Sequence, residues 1–318
     1  MRKLLCYLLL ASTVISCQKK AIPTERDELE GDLNAPVLKT NVSPGATDSI
    51  TMDVTGDYVN PGDNHIKNNT TGMHYWSDQE GAGYANGNNL PGIPIYKTAA
   101  ARYPNSYALR FNMPARSASV TYNPVVKDRL ESHIFTSNIA DVNANVHYSG
   151  FSLYIPTGQD TIHSWFVIHQ WWQSAPESAP ISFELDSGYY GRLKVCIRYG
   201  VNKASGTYVR YLPRKDTTAT NIKFIDLPRN TWIDFIVRWK FATTDSSGVC
   251  AVYRHNANAP TSTLLFDYSG PIGFSNVDNS HGVQEKFGIY RKASFNKQQI
   301  VYDQLRVGPS WNSVKPWP

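Results

Sequence analysis

The segment Glu285-Lys-Phe-Gly-Ile-Tyr-Arg291 offers the densest chemistry in the chain. Read as a strand, it sets Lys286, Gly288 and Tyr290 on one face and Phe287 and Ile289 in the core. A glycine between a lysine and a tyrosine removes side-chain bulk, so a ligand could approach the backbone there. The alternative is an ordinary strand with a cross-strand tyrosine and a solvated lysine. A second segment, Trp165-Phe-Val-Ile-His-Gln-Trp-Trp-Gln173, carries His169, Gln170 and a Trp171-Trp172 pair. Alternation puts one indole on each face, one for the core and one free to stack on a sugar ring. His169 shares a face with Trp171 in a regular strand, and a bulge could re-aim it.

Other constellations fall short of a site. His163 and His169 lack a third ligand at metal spacing. Glu184-Leu-Asp186 has the start of a two-carboxylate hydrolase element, but Tyr189 stands where the second glutamate would be, and retaining hydrolysis needs two close carboxyls. Asp141-Val-Asn-Ala-Asn145 offers oxygen ligands for a structural Ca²⁺ without the glycine and final glutamate of an EF-hand loop. No metal site and no required cofactor are expected. The nucleophile-elbow, P-loop and dinucleotide patterns are not found.

The elements that must position these groups are strands. Tyr107-Ala-Leu-Arg-Phe-Asn-Met113 alternates Tyr, Leu, Phe and Met against Ala108, Arg110 and Asn112. Trp232-Ile-Asp-Phe-Ile-Val-Arg-Trp-Lys-Phe241 sets Ile233, Phe235, Val237, Trp239 and Phe241 against Asp234, Arg238 and Lys240. Such period-2 patterns mark half-buried strands, and Gly, Pro, Asn and Asp clusters separate them. The composition agrees: of 318 residues 41% are apolar, 12% aromatic and only 18% charged, which excludes a disordered chain and argues against a helical bundle. The expected fold is all-β, a jelly-roll sandwich of two antiparallel sheets with a concave cleft, spanning residues 46–318.

Arg2 and Lys3 precede an apolar run from Leu4 to Ile15, the pattern of an exported leader too short to be a membrane span. Val14-Ile15-Ser16-Cys17 resembles a bacterial lipobox, which implies removal of residues 1–16, a lipid on Cys17 and a flexible tether over 17–45. The expectation is an exported lipoprotein of a Gram-negative outer membrane, held by that lipid alone. Loss of Arg2 and Lys3 leaves 29 basic against 26 acidic residues, too mild for a nucleic-acid binder. Cys196 and Cys250 then remain, as a disulfide or as two buried thiols.

Taken in order, these segments resemble the jelly-roll polysaccharide lyases, the relatives of glucuronan lyase, heparin lyase I and alginate lyase. The likeness lies in Lys-Phe-Gly-Ile-Tyr290 followed by Ile300-Val-Tyr-Asp-Gln-Leu-Arg-Val-Gly308, in the strand carrying Gln170, and in Arg129-Leu-Glu131. It covers about residues 105–308 in the same order. Where the family has Gln-x-His, this chain has Gln170-Trp171-Trp172. The resemblance implies β-elimination on a uronic-acid polymer by a monomer. Tyr290 would be the acid and also serve as base, with His169 the alternative base. Lys286 would be the charge-stabilising partner, and Gln170 would neutralise the substrate carboxylate, helped by Arg129 or Arg110. Glu131, Trp171, Trp172 and Arg291 complete the expected substrate contacts. A non-catalytic carbohydrate-binding protein, and then a glycoside hydrolase, are the alternatives.

Overall fold

The computed structural model describes three short stretches, 52–54, 65–67 and 74–80, and, with brief interruptions, residues 95–317. The expected leader (1–16), Cys17 and the expected tether (17–45) lie outside the described residues, as do His163, Asp186, Tyr189 and residues 141–144.

Strands numbered in chain order form two sheets. Sheet I runs β15 (Thr263–Ser269), β14 (Val249–His255), β13 (Ile233–Lys240), β7 (His147–Tyr154), β18 (Gln298–Gly308), β5 (Ala108–Met113) and β4 (Ile95–Thr98), with β1 (Met52–Val54) also on β18. Sheet II runs β11 (Thr207–Leu212), β10 (Arg192–Gly200), β9 (Ile181–Leu185), β8 (Phe166–Trp172), β17 (Gln284–Lys292), β6 (Lys127–Phe135), β3 (His74–Glu80) and β2 (His65–Lys67). Two short strands, β12 (Ile225–Asp226) and β16 (Gly273–Phe274), flank β10. Pairing is antiparallel except for the parallel β16–β10 contact. The chain crosses repeatedly between sheets, so strands distant in sequence become neighbours, as β17 does between β6 and β8. This is the jelly-roll sandwich expected.

The alternating strands deliver their apolar faces to one shared layer. Leu109, Phe111, Phe151, Phe235 and Trp239 of sheet I meet Trp171, Phe183, Phe287 and Ile289 of sheet II in a single buried cluster. Edge-on and tilted ring pairs fill it, such as Phe111–Phe287 at 5.7 Å and Phe151–Phe235 at 5.5 Å.

The outer face of sheet I is covered. A one-turn helix, α1 (Trp311–Val314), begins at the capping Ser310, lies on β7 and β18, and needs two glycines beneath it. A Cβ on Gly150 would overlap the Val314 carbonyl, and one on Gly308 would meet the Ser313 hydroxyl. Beyond it Trp317 stacks on His255 at 4.1 Å, and Tyr103 donates to the Pro316 carbonyl at 2.7 Å. Arg102 pairs with Asp234 through two hydrogen bonds of 3.2 and 3.0 Å, and its backbone N–H donates to Asp303. That face is therefore taken up internally, which leaves the outer face of sheet II for a ligand.

Cys196 on β10 and Cys250 on β14 stand on different sheets as free, buried thiols, which decides between the two alternatives. Burial pushes the Cys196 thiol up to about 12 and raises Cys250 as well. Since the thiolate is the reactive form, neither should alkylate in the native protein near neutral pH. Peptide mass spectrometry after iodoacetamide should find Cys196 and Cys250 labelled only when denaturant is present, and a cross-linked peptide pair would contradict the structure.

Candidate active site

Three adjacent strands, β6, β17 and β8, bring the expected residues together, and an irregularity in their pairing sets which side chains face out. On β17 the register to β8 slips between Phe287 and Tyr290, and on β8 the register to β9 slips between Val167 and His169. The extra residue on β8 is Ile168, whose carbonyl accepts a 2.8 Å hydrogen bond from the Tyr302 hydroxyl of sheet I. Burial, and then Glu131 and Glu285 nearby, raise the Tyr302 phenol well above its ordinary value, so it stays a donor. Opposite the bulge Gly288 has φ of 131°, and a Cβ there would strike the Leu130 carbonyl and lie 2.8 Å from the Phe111 ring. Glycine is required by backbone conformation and packing, a stronger reason than room for a ligand.

Beyond the bulge, Gln170 pairs with Lys286 across the strands, Tyr290 pairs with Arg129, and Glu131 lies opposite Gly288. These side chains share the outer face. The Gln170 amide donates to Glu131 at 2.6 Å, and Arg129 forms an ion pair with the other Glu131 oxygen at 3.3 Å. The Arg129 guanidinium stands over the Tyr290 ring at 4.3 Å, and the Lys286 ammonium over the Trp172 ring at 4.4 Å. Glu131, Lys286 and Gln170 are buried although they point away from the inter-sheet core, so they lie at the floor of this face. Carboxylate, amide and guanidinium form one connected chain ending on the phenol.

Four expected residues are elsewhere. His169 is fully buried on the core side, stacked on Phe151 at 4.4 Å, with its Nε2 2.8 Å from Glu285. The bulge precedes it and keeps it with Trp171 on the inner face. Trp171 is also fully buried, and its indole N–H donates to Ser149 at 3.2 Å. Arg291 follows the phase of Phe287 and Ile289 inward, where it pairs with Asp128 at 3.3 Å. Arg110 lies on β5 in the opposite sheet, on the face away from Leu109 and Phe111. None of the four can touch a ligand held by Gln170 and Tyr290.

Two features were missed. Trp165, one residue before β8, lies edge-on to Tyr290 at 4.9 Å. On β9 and β10 Glu184 accepts from Ser182 at 2.8 Å and Arg198 at 2.7 Å, with Lys194 at 3.5 Å. Alternation could have shown the second, because Glu184, weighed above only as half of a hydrolase pair, and Lys194 take polar positions between buried Phe183, Leu185, Leu193 and Val195. A glutamate so fully engaged is a poor nucleophile, which weakens the hydrolase reading. Basic side chains outnumber carboxylates here, with Arg129, Lys286, Lys194 and Arg198 against Glu131 and Glu184. Among the described residues no three His, Cys, Asp or Glu side chains gather at metal distance.

A family model described as polysaccharide lyase matches residues 73–306, well over half of the chain. The chain belongs to the polysaccharide lyase family. The matched region includes all of β6, β8 and β17. Among solved structures, it is similar to the catalytic domain of a glycoside hydrolase family 131 protein from Coprinopsis cinerea, at 11% identity, 76% of this chain, 85% of that one and a TM-score of 0.47. It is also similar to a family 7 alginate lyase in complex with substrate (12%, 70% and 84%, 0.40) and to alginate lyase AlyC3 (11%, 70% and 82%, 0.41). Likenesses this distant carry no argument about the site. No curated protein matches.

The location of His169 yields a direct expectation. His169→Ala should leave the Glu285 carboxylate short of a buried partner and lower stability by roughly 3 kcal/mol. Urea unfolding measures this, and unchanged stability would contradict the core assignment.

Proposed function

We propose that this polysaccharide lyase family member cleaves a uronic-acid-containing polysaccharide by β-elimination, as a monomer needing no cofactor. The observation that carries the reading is the connected group Gln170–Glu131–Arg129–Tyr290, with Lys286 beside it, on one exposed-side face. Loss of the C5 proton of a uronate places charge on an already anionic carboxylate. Gln170 and Arg129 donate to that developing enediolate, and Lys286 adds positive charge. With His169 in the core, Tyr290 serves in both proton steps. As phenolate it takes the C5 proton. The C5 electron pair forms the C4–C5 double bond as the C4–O bond breaks, and the phenol returns its proton to the departing oxygen. The products are an unsaturated uronic end and a new chain end.

One observation favours a second reading, carbohydrate binding without turnover: His169 is spent in the core, so it is not the imidazole base that the resemblance called for.

The test is the full chain against glucuronan, alginate, heparin-type glycosaminoglycans, pectate and a neutral glucan. Ultraviolet absorbance of the unsaturated end should rise with one acidic polymer and fall by at least about a thousandfold in rate for Tyr290→Phe. Binding to an acidic polymer without absorbance would select the second reading. Reducing ends without absorbance would mean hydrolysis.

The address belongs to the same proposal: residues 1–16 export the chain and Cys17 carries the lipid that holds it at an outer membrane, supported by the order of basic, apolar and small residues before Cys17. Cys17→Ser should move the protein from the membrane to the soluble fraction, and retention in the membrane would contradict the anchor.

A further inference from the structure

Trp165 stands out among the described tryptophans by its exposure. Trp171, Trp232 and Trp239 are buried and Trp172, Trp311 and Trp317 half-buried, whereas Trp165 is 37% exposed. It is nonetheless held in place. Its carbonyl accepts the Lys292 N–H at 3.3 Å, which extends the β8–β17 pairing one step past Phe166–Arg291. That step gives Trp165 the phase of Val167, the residue opposite Tyr290. Its ring meets Tyr290 at an interplanar angle of 70°, an edge contact, and the residue still keeps much of its surface open to solvent. No hydrogen bond to its indole N–H is made among the described residues.

An exposed indole costs hydrophobic free energy that a buried one would gain. Here it is presented to solvent beside the phenol. Arg129 covers Tyr290 from β6 and Trp165 borders it from the start of β8. Gln170 lies the other way along β8, and Lys286 the other way along β17. A saccharide whose carboxylate meets Gln170 and whose glycosidic oxygen meets Tyr290 therefore continues toward Trp165. The C–H face of a pyranose suits an indole face, and its rim hydroxyls suit a free indole N–H.

We infer that Trp165 is the platform for the leaving-group sugar, the pyranose ring on the far side of the cleaved bond from the Gln170-bound uronate. The inference rests on the role assigned above to Tyr290. Its recognition is of ring face and hydroxyls, distinct from the charge-based recognition at Gln170, Arg129 and Lys286.

The test has two arms on the full chain. In the first, kcat and KM of Trp165→Ala and Trp165→Phe are compared with wild type on whichever acidic polymer is cleaved. KM should rise roughly tenfold in the alanine variant, kcat should fall by less, and phenylalanine should recover most of the loss. An unchanged KM, or a loss confined to kcat, would mean that Trp165 merely props Tyr290, and would overturn the platform. In the second arm, short alginate and glucuronan oligosaccharides are titrated into Tyr290→Phe with and without Trp165→Ala, followed by calorimetry. Weakening of roughly tenfold on loss of the indole supports the platform even if no polymer is cleaved, in which case the elimination reading alone has failed. Equal binding with and without the indole, or no binding to either oligosaccharide, overturns it.

Discussion

A carboxylate buried between two sheets must be satisfied, and in this fold that demand falls on Glu285. One of its oxygens meets His169 at 2.8 Å and the other accepts from the Ser149 hydroxyl at 2.6 Å. Ser149 in turn accepts from the indole N–H groups of Trp171 and Trp239. The serine thereby uses its donor and both its acceptor sites. All five residues are buried, and they come from four strands in both sheets. Breaking the set would strand a charge in an apolar layer, which costs several kcal/mol. The set consequently locks the phase of β8 and β17. With Glu285 inward, Lys286 faces outward, and with His169 inward, Gln170 faces outward. The working face of sheet II is the reverse side of a buried polar constraint.

The same division of labour runs through the sandwich. Sheet I spends its outer face on the C-terminal turn, which Gly150 and Gly308 admit to close contact, and on the Arg102–Asp234 pair. Sheet II spends its inner face on the core and keeps its outer face polar. Tyr302 links the two, because its hydroxyl from sheet I satisfies the carbonyl that the β8 bulge frees. The bulge lets Ile168 and His169 both face inward while returning Gln170 outward.

Period-2 patterning made most of this legible. Ile233, Phe235, Val237, Trp239 and Phe241 occupy the core as their alternation requires, and so do Leu109, Phe111 and Met113. The phase of Lys286 and Tyr290 was equally readable, and the same phase already sent Arg291 inward with Phe287 and Ile289. Arg110 was readable as facing away from the core, but sequence does not say which sheet a strand joins, and it joined the wrong one for the site. His169 escaped for another reason. A histidine in an apolar strand looks alike whether it serves a substrate or a buried glutamate, and its partner Glu285 lies 116 residues away. Trp165 escaped because it precedes the strand proper, and only the pairing continued through Lys292 gives it the outward phase of Val167.

With His169 committed to Glu285, the proposed chemistry falls on the electrostatic arrangement around Tyr290. Glu131 is fully buried between Gln170 and Arg129, so those donors are oriented before any substrate arrives. That orientation has a cost, since an incoming carboxylate meets a negative charge already in place. Arg129 and Lys286 offset it, one over the phenol and the other over Trp172. A second amide N–H on Gln170 remains for a second anion. The face therefore suits the carboxylate of the proposed substrate. A neutral ring there would leave the two cations without an added counter-charge, an asymmetry that supports the proposal of an acidic polymer.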